Sequence, residues 1–511
     1  MMRFVTTLSV LLPILSPTAT GNEQVSSVPD TGCVKSVCRL HPNHFNLLTY
    51  LQCSRLANLL GPNSFFAGNR NLAVWDAKQQ QTQSACRVLP TSTEDVSSVL
   101  GVILEESCRF AVKGGGHARD PDDSISAGGV TIDMQKMRSI QVAADRSRVK
   151  LGSGHVLYSL YSGLEKYNLT TLGGRVADVG LGGFALGGGF SSLSPAYGLA
   201  MDNIFEYELV LPNATIAKVN QHTHPDLYFA LRGGMNNFGI ITHFTMRAVP
   251  QGQVYGGSRT YSSNIREAVL QQASDLTTLW KNDTAMSFYY NFAYDQNLDD
   301  FTIAVNQEYA LPTSDPPPFR QLNELPYESD TVRIDRLSNF STDGISPGGG
   351  RNLYATVTYQ PSVDLDRKLQ DILIEELQPI KTISGLSPSL VIQPLYEAAV
   401  QANRERGGSA AGIQAEGPLT VVLFNTRWSD EKDDDAINAL ANRWLQRSLA
   451  ATHEADKFHP WLYINYASKA QHPFAGYGEA NLRKLVAIQR EVDPKGIFTS
   501  KGLCRGYFKL L

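Results

Sequence analysis

Eighteen of the 42 glycines in this 511-residue chain fall between residues 101 and 200, and no other feature restricts its fold as much. Glycine lacks a Cβ, so it adopts backbone angles closed to other residues and lets main-chain N–H groups approach a ligand closely. The densest run, Phe110–Asp133, reads FAVKGGGHARDPDDSISAGGVTID. Gly114, Gly115 and Gly116 lead straight into His117, and Gly128–Gly129 lead into a strand-like VTID. A second cluster, VGLGGFALGGGF, spans Val179–Phe190. Neither is a common nucleotide loop. A P-loop requires Lys and Ser/Thr after its glycines, and a Rossmann loop requires a helix where Asp120, Pro121 and Asp122 stand. Two such loops in one mixed domain suit an extended diphosphate, and the competing reading is that they only make tight turns.

At 56.1 kDa the chain exceeds one ordinary core, so two domains are expected. A net charge of -4 argues against a nucleic-acid or polybasic membrane partner, and no later apolar run is long enough to span a bilayer. The N-terminus differs. Arg3, the apolar run Phe4–Leu15 and small residues around Ala19–Gly21 form the pattern of a secretory signal peptide over residues 1–20. Pro13 and Pro17 oppose the alternative of a buried first helix. Six cysteines, at 33, 38, 53, 86, 108 and 504, fit an oxidising compartment. Cys86 and Cys108 bracket a strand–helix–strand unit, so a bridge between them is expected, with the other pairings open. N-x-Ser/Thr triplets at Asn168, Asn213, Asn282 and Asn339 add the expectation of a secreted glycoprotein; a monomer is expected as well.

Short strands at Arg109–Lys113, Gly129–Asp133, Arg148–Gly152 and Phe205–Leu211 surround helices at Pro90–Glu106 and His155–Tyr167. After residue 250 longer aromatic strands appear at Ser287–Tyr294, Asp300–Glu308, Asn352–Gln360 and Pro418–Trp428. Helical stretches at Ser262–Lys281, Val363–Leu377 and Asp433–Ala450 lie between them. The class is α+β, with an antiparallel sheet covered on one side by helices. A last unit begins with the strand-like WLYINY and contains a helix over Glu479–Glu491 that buries Leu482, Leu485, Val486 and Gln489.

Five stretches occur in a telling order: CRVLPTSTEDVSSVL, FAVKGGGHARDPDDSISAGGVTIDMQKMRSI, VGLGGFALGGGFSSLSPAYGLAMDNI, LRGGMNNFGIITHFTM and YINYASKAQHPFAGYGEANLRKLVAIQREVDPKGIF. By these the chain resembles the FAD-linked oxidases of the vanillyl-alcohol oxidase superfamily, in their fungal berberine-bridge-enzyme-like branch. The resemblance implies a two-lobed PCMH-type FAD-binding domain over residues 21–250, with its core over 82–250. It also implies an inserted substrate domain over 251–455 and a C-terminal segment, 456–511, returning to the FAD domain. FAD contacts are implied for Gly114, Gly115, Gly116, Ala118, Val179, Gly180, Gly182, Gly183, Gly188, Gly189, Gly239, Ile240, Ile241, Tyr463 and Asn465.

His117 matches the histidine that carries an 8α-histidyl bond to FAD in this family; its plain alternative is a loop residue hydrogen-bonded to a phosphate. Relatives with a second link carry a cysteine where this chain has Val176, so one covalent tether is implied. Phe184 stands where a histidine is usual. Val179 matches the position whose valine accompanies oxidase behaviour in relatives.

Tyr463–Tyr466 matches the family's Tyr-x-Asn-Tyr segment, which implies Tyr466 as general base and Asn465 as an orienting group. A tyrosine titrates near 10, so a base of this kind needs a cation or strong hydrogen bonds; Lys469 and Arg483 are the candidates. Other branches use a glutamate from the substrate-domain sheet, but Pro418–Trp428 contains no acid, which leaves the role to Tyr466 or makes Tyr466 a pocket wall. The implied reaction removes a proton from an O–H or N–H while the adjacent C–H gives hydride to FAD, with O2 as acceptor and H2O2 as product. Some relatives couple this to ring closure. A small fungal metabolite is the expected substrate; a carbohydrate, or a non-redox isomerase or binding role, are the alternatives.

Overall fold

The computed structural model describes residues 45–345, 348–405, 407–414 and 417–511. The expected signal peptide, together with Cys33 and Cys38, lies outside the described residues. The N-terminal half builds two small sheets. In the first, the strand order is Phe65–Ala67, Cys86–Val88, Val130–Asp133, Phe110–Lys113, and the last three run parallel. In the second, five antiparallel strands follow the order Ile140–Val142, Arg148–Gly152, Ile240–Arg247, Ile204–Val210, Ile216–Asn220.

Helix Thr93–Glu106 illustrates how local chemistry sets these elements. Ser92 Oγ accepts from Asp95 N at 3.0 Å and Asp95 Oδ2 accepts from Ser92 N at 3.2 Å, a reciprocal cap. Val96, Val99, Leu100 and Ile103 are buried along one face, and Ser107 ends the helix at φ 52°.

A nine-stranded antiparallel sheet dominates the middle of the chain. Its central strands are Asp300–Tyr309, Met286–Asp295, Ser387–Leu395, Leu419–Trp428 and Arg351–Tyr359. Along Met286–Asp295 burial alternates strictly, so Phe288, Tyr290 and Phe292 share one face. That face packs under helices Arg266–Thr278, Val363–Leu377 and Asp434–Glu454 through Leu270, Leu369, Leu373, Leu440 and Trp444. The opposite face is left to line a cavity. Trp461, Tyr463, Ile464, Phe474, Tyr477, Leu485 and Ile488 from the C-terminal segment join the hydrophobic cluster built on residues such as Leu151, Leu209 and Phe244.

Two expectations need correction. Among the described residues a disulfide joins Cys53 to Cys86, with Cα atoms 6.0 Å apart, and not Cys86 to Cys108. The parallel pairing is the reason: Val130 sits between Cys86 and Phe110 in register, which separates those outer strands by two spacings, about 10 Å. Two cysteines bridge only when their Cα atoms lie within about 7 Å. Likewise the C-terminal helix, Glu479–Val492, buries Leu485, Ile488 and Gln489, while Leu482 and Val486 are only half-buried. The asparagines of all four glycosylation triplets are exposed. Among the described residues no helix is long and apolar enough to cross a membrane.

Candidate active site

One cavity of about 550 Å3 gathers residues from the glycine loops, the open face of the large sheet and the C-terminal segment. Gly114, Gly115, Gly116, His117 and Ala118 form one wall, with Val179, Gly180 and Gly183 beside them. Glycine is required where these loops meet. A Cβ on Gly115 would stand 2.3 Å from Gly180 N, and one on Gly180 would stand 2.1 Å from Gly115 N. No side chain fits in that contact.

The contact also brings His117 to Asp178, with Nε2 3.5 Å from Oδ1. Trp75 stacks on the imidazole at 4.2 Å and 12°, and its backbone N–H donates to Gly116 O at 3.0 Å. The ring is therefore held by a flat neighbour and faces a carboxylate. Burial works to raise the Asp178 pKa, but the contact with His117 outweighs it and leaves the acid below its ordinary value.

The segment Trp461–Tyr466 is not a strand; Tyr466 N donates to Tyr463 O at 2.8 Å in a turn. The turn places both tyrosines on the same side, their rings 4.7 Å apart and edge-on, where strand alternation would have separated them. Tyr463 OH accepts from Gly189 N and Phe190 N at 3.2 and 3.3 Å. Asn465 Nδ2 donates to Tyr463 OH at 3.0 Å and to Phe184 O at 3.1 Å. Asn465 thus pins the turn against the second glycine cluster, where a Cβ on Gly187 would meet Asn465 Oδ1 at 2.2 Å.

The cation beside Tyr466 is Arg175, not Lys469 or Arg483. Arg175 Nη2 donates to Tyr466 OH at 2.5 Å, and Nη1 donates to Gln393 Oε1 at 2.7 Å. Its guanidinium also lies 4.0 Å from the centre of the Tyr289 ring. Burial disfavours its charge, yet Tyr466, Tyr289 and Tyr463 around it hold its pKa above the ordinary arginine value. Lys469 is engaged with Asp123 at 2.6 Å, and Arg483 pairs with Glu479 on its own helix.

The sheet presents the face opposite its helices: Ser287, Tyr289 and Asn291 from one strand, and Ala304, Asn306 and Glu308 from the next. Gln393, Asn425 and Tyr354 continue it. Burial pushes the phenols of Tyr289 and Tyr354 up to about 12. It also raises the Glu308 carboxyl above the ordinary glutamate range, against the opposing hydrogen bond from Ser192 and the charge of Arg175. The sheet therefore does carry an acid into the cavity, from a strand other than Leu419–Trp428.

Several implied cofactor contacts sit elsewhere. Gly182, Gly188, Gly189, Gly239, Ile240 and Ile241 do not line this cavity. Gly188 and Gly189 back Tyr463, and Gly239, at φ 142°, passes so close to Val210 O that a Cβ would approach it to 2.5 Å. Ile240 and Ile241 fill hydrophobic clusters. Conversely, Trp75, Arg175, Asp178 and Glu308 escaped the sequence reading. Period-2 alternation along DFTIAVNQEY, with Phe301, Ile303 and Val305 inward, was the one available signal for Glu308.

The FAD_binding_4 family, described as an FAD binding domain, matches residues 84–220. The FAD-dependent monooxygenase FUP4 of Fusarium proliferatum is 34% identical over 440 residues, 83% of this chain and 85% of that protein. This chain belongs to the FAD-linked oxidoreductases of the vanillyl-alcohol oxidase superfamily. The FAD-linked enzyme shares its fold with 6-hydroxy-D-nicotine oxidase from Arthrobacter nicotinovorans, at TM-score 0.71 and 21% identity over 86% of this chain and 97% of that one. It is also similar to glucooligosaccharide oxidase from Acremonium strictum, at TM-score 0.66 and 18% identity over 83% and 92% of the two chains. The FAD of that oxidase is 6-S-cysteinyl and 8α-N1-histidyl.

The residues fit an FAD. A Cβ on Gly114 would meet nothing within 4 Å and one on Gly183 only Tyr507 OH at 3.9 Å, so bare backbone borders open space on both loops. His117, Asn465 and Tyr466 share that space.

Proposed function

We propose that this oxidoreductase is a secreted, monomeric oxidase whose FAD is attached through His117 alone. Its substrate is a small fungal metabolite with a C–H beside an O–H or N–H. Dioxygen is the acceptor, and ring closure can accompany the oxidation. The contact between Arg175 and the Tyr466 hydroxyl, on the cavity that also holds His117, carries this reading. Tyr466, as its phenolate, takes the substrate proton, and Arg175 stabilises that phenolate before the transfer. Asn465 keeps Tyr463 and the turn in place, and Tyr289 under the Arg175 guanidinium excludes water from it. When bound, FAD supplies the two-electron acceptor that passes electrons on to dioxygen. Val179 on the cavity wall supports oxidase behaviour, and Val176 in place of a cysteine supports a single tether. Secretion rests on the N-terminal pattern and on the four exposed triplets.

The amides of Asn291, Asn306, Gln393 and Asn425 favour a substrate rich in hydrogen-bonding oxygens, so a carbohydrate is kept as the second substrate class. Glu308 offers a second base, and the relative from Fusarium proliferatum favours testing monooxygenation. A peroxide-release screen of the secreted protein against fungal metabolites, aromatic alcohols and oligosaccharides tests all of these. One peroxide per turnover with no oxygen incorporated from labelled dioxygen supports an oxidase; labelled product replaces it with a monooxygenase. Acid precipitation tests the tether: yellow colour that stays with wild-type protein and is lost in His117→Ala supports it, and a colourless wild-type pellet refutes it.

A further inference from the structure

Asp178 is not needed for the chemistry just described, yet the glycine contact spends two positions to hold it beside His117. Its Oδ1 is buried, and His117 Nε2 lies 3.5 Å away. A movement of about half an ångström brings that pair within hydrogen-bond range. Because Nε2 is the nitrogen that faces the carboxylate, Nδ1 is left as the ring's nucleophilic lone pair. Trp75, stacked at 4.2 Å, restricts the plane in which that lone pair swings.

We infer that Asp178 is the positioning residue for covalent attachment of FAD, acting through His117 by fixing its tautomer and accepting its Nε2 proton. The inference rests on the proposed attachment at His117. In the step, the 8α methyl of the isoalloxazine ring loses a proton. His117 Nδ1 then adds to the exocyclic methylene so formed, and the π pair of its double bond to the ring moves into the ring, which is thereby reduced by two electrons while the carbon's σ bond to the ring stays intact. Dioxygen takes those electrons and two protons and leaves as hydrogen peroxide. Alkylated at Nδ1, the imidazole would remain a cation unless it released its Nε2 proton, and Asp178 is the carboxylate placed to receive it. Gly115 and Gly180 serve this arrangement: any Cβ between the loops would move Asp178 away from the ring.

The test is attachment itself, not turnover. Apoprotein of the wild type, Asp178→Asn and Asp178→Glu is produced under riboflavin limitation and mixed with FAD. Non-covalent binding is followed by quenching of flavin fluorescence, and attachment by flavin fluorescence of the denatured chain over time. Asp178→Asn keeps the volume but loses the proton acceptor. It should bind FAD with near wild-type affinity and attach it about tenfold more slowly, the loss expected for one charge-assisted hydrogen bond. Asp178→Glu should restore most of the rate. Equal attachment rates in wild type and Asp178→Asn overturn the inference. So does a loss of non-covalent affinity in both variants, which would make Asp178 a structural part of the loop only. A wild type that releases all its FAD on denaturation is a different result: it removes the attachment at His117, and Asp178's role with it.

Discussion

Replacing Arg175 with methionine isolates the central electrostatic claim. Methionine keeps an unbranched apolar stem of similar reach, so the space under Tyr289 stays filled while the guanidinium is lost. Two hydrogen bonds disappear, one of 2.5 Å to Tyr466 OH and one of 2.7 Å to Gln393 Oε1, together with a cation held 4.0 Å from the Tyr289 ring centre. Only the first stabilises the phenolate that must be present before the proton can be taken. A hydrogen bond to a charged group contributes about 1.5–3 kcal/mol, so flavin reduction should slow by roughly 10- to 150-fold. Substrate binding does not consume the phenolate and should change much less. The assay is anaerobic stopped-flow reduction with a substrate from the peroxide screen, the dissociation constant being read from the substrate dependence. Arg175→Lys, which keeps the charge but not the planar fork, should fall between the two. A reduction rate within about threefold of wild type for Arg175→Met would remove Arg175, and with it the phenolate, from the reaction.

Further outcomes follow from neighbouring features. Glu308→Gln should raise the substrate concentration needed for half-maximal rate while slowing reduction less than Arg175→Met; a larger slowing would make Glu308 the base. Gly180→Ala, whose Cβ would lie 2.1 Å from Gly115 N, should fold but lose retention of FAD, measured as flavin per chain after gel filtration. Gly101→Ala, on an open helix position with nothing within 4 Å, should instead stabilise the protein by about 0.5–1 kcal/mol in urea unfolding. Half-buried Asp366 accepts from Tyr290 OH at 2.6 Å and from Tyr359, and burial raises its pKa from 3.8 to about 6. A carboxyl raised on folding loses its proton more readily in the unfolded chain. Its contribution to stability is full below pH 3.8 and is lost as pH rises through about 6, a fall of roughly 3 kcal/mol. Asp366→Asn should flatten the wild-type stability profile over that window, and parallel profiles would refute the assignment.

Short-range chemistry was enough to read helix Thr93–Glu106, with its Ser92 cap, and strands such as Arg148–Gly152 and Leu419–Trp428. Periodicity and capping act within a few residues, so they survive in a one-dimensional string. The glycine loops and His117 were legible for a related reason: a run of residues without side chains is itself a local fact, and the order of motifs along the chain named the cofactor. Pairings across long sequence separations were not legible. Cys86 binds Cys53 because a parallel strand entering at Val130 intervenes before Phe110, a decision about strand order. Tyr466 faces Arg175, 291 residues away, because a turn replaces the strand that alternation suggested. Glu308 joins them because helices cover one face of the large sheet and leave the other to the cavity. The order of motifs along the chain was enough to give the class of cofactor; which groups stand beside His117 and beside Tyr466 was decided by tertiary packing, since charge and hydrogen bonding depend on distance in space and not along the chain.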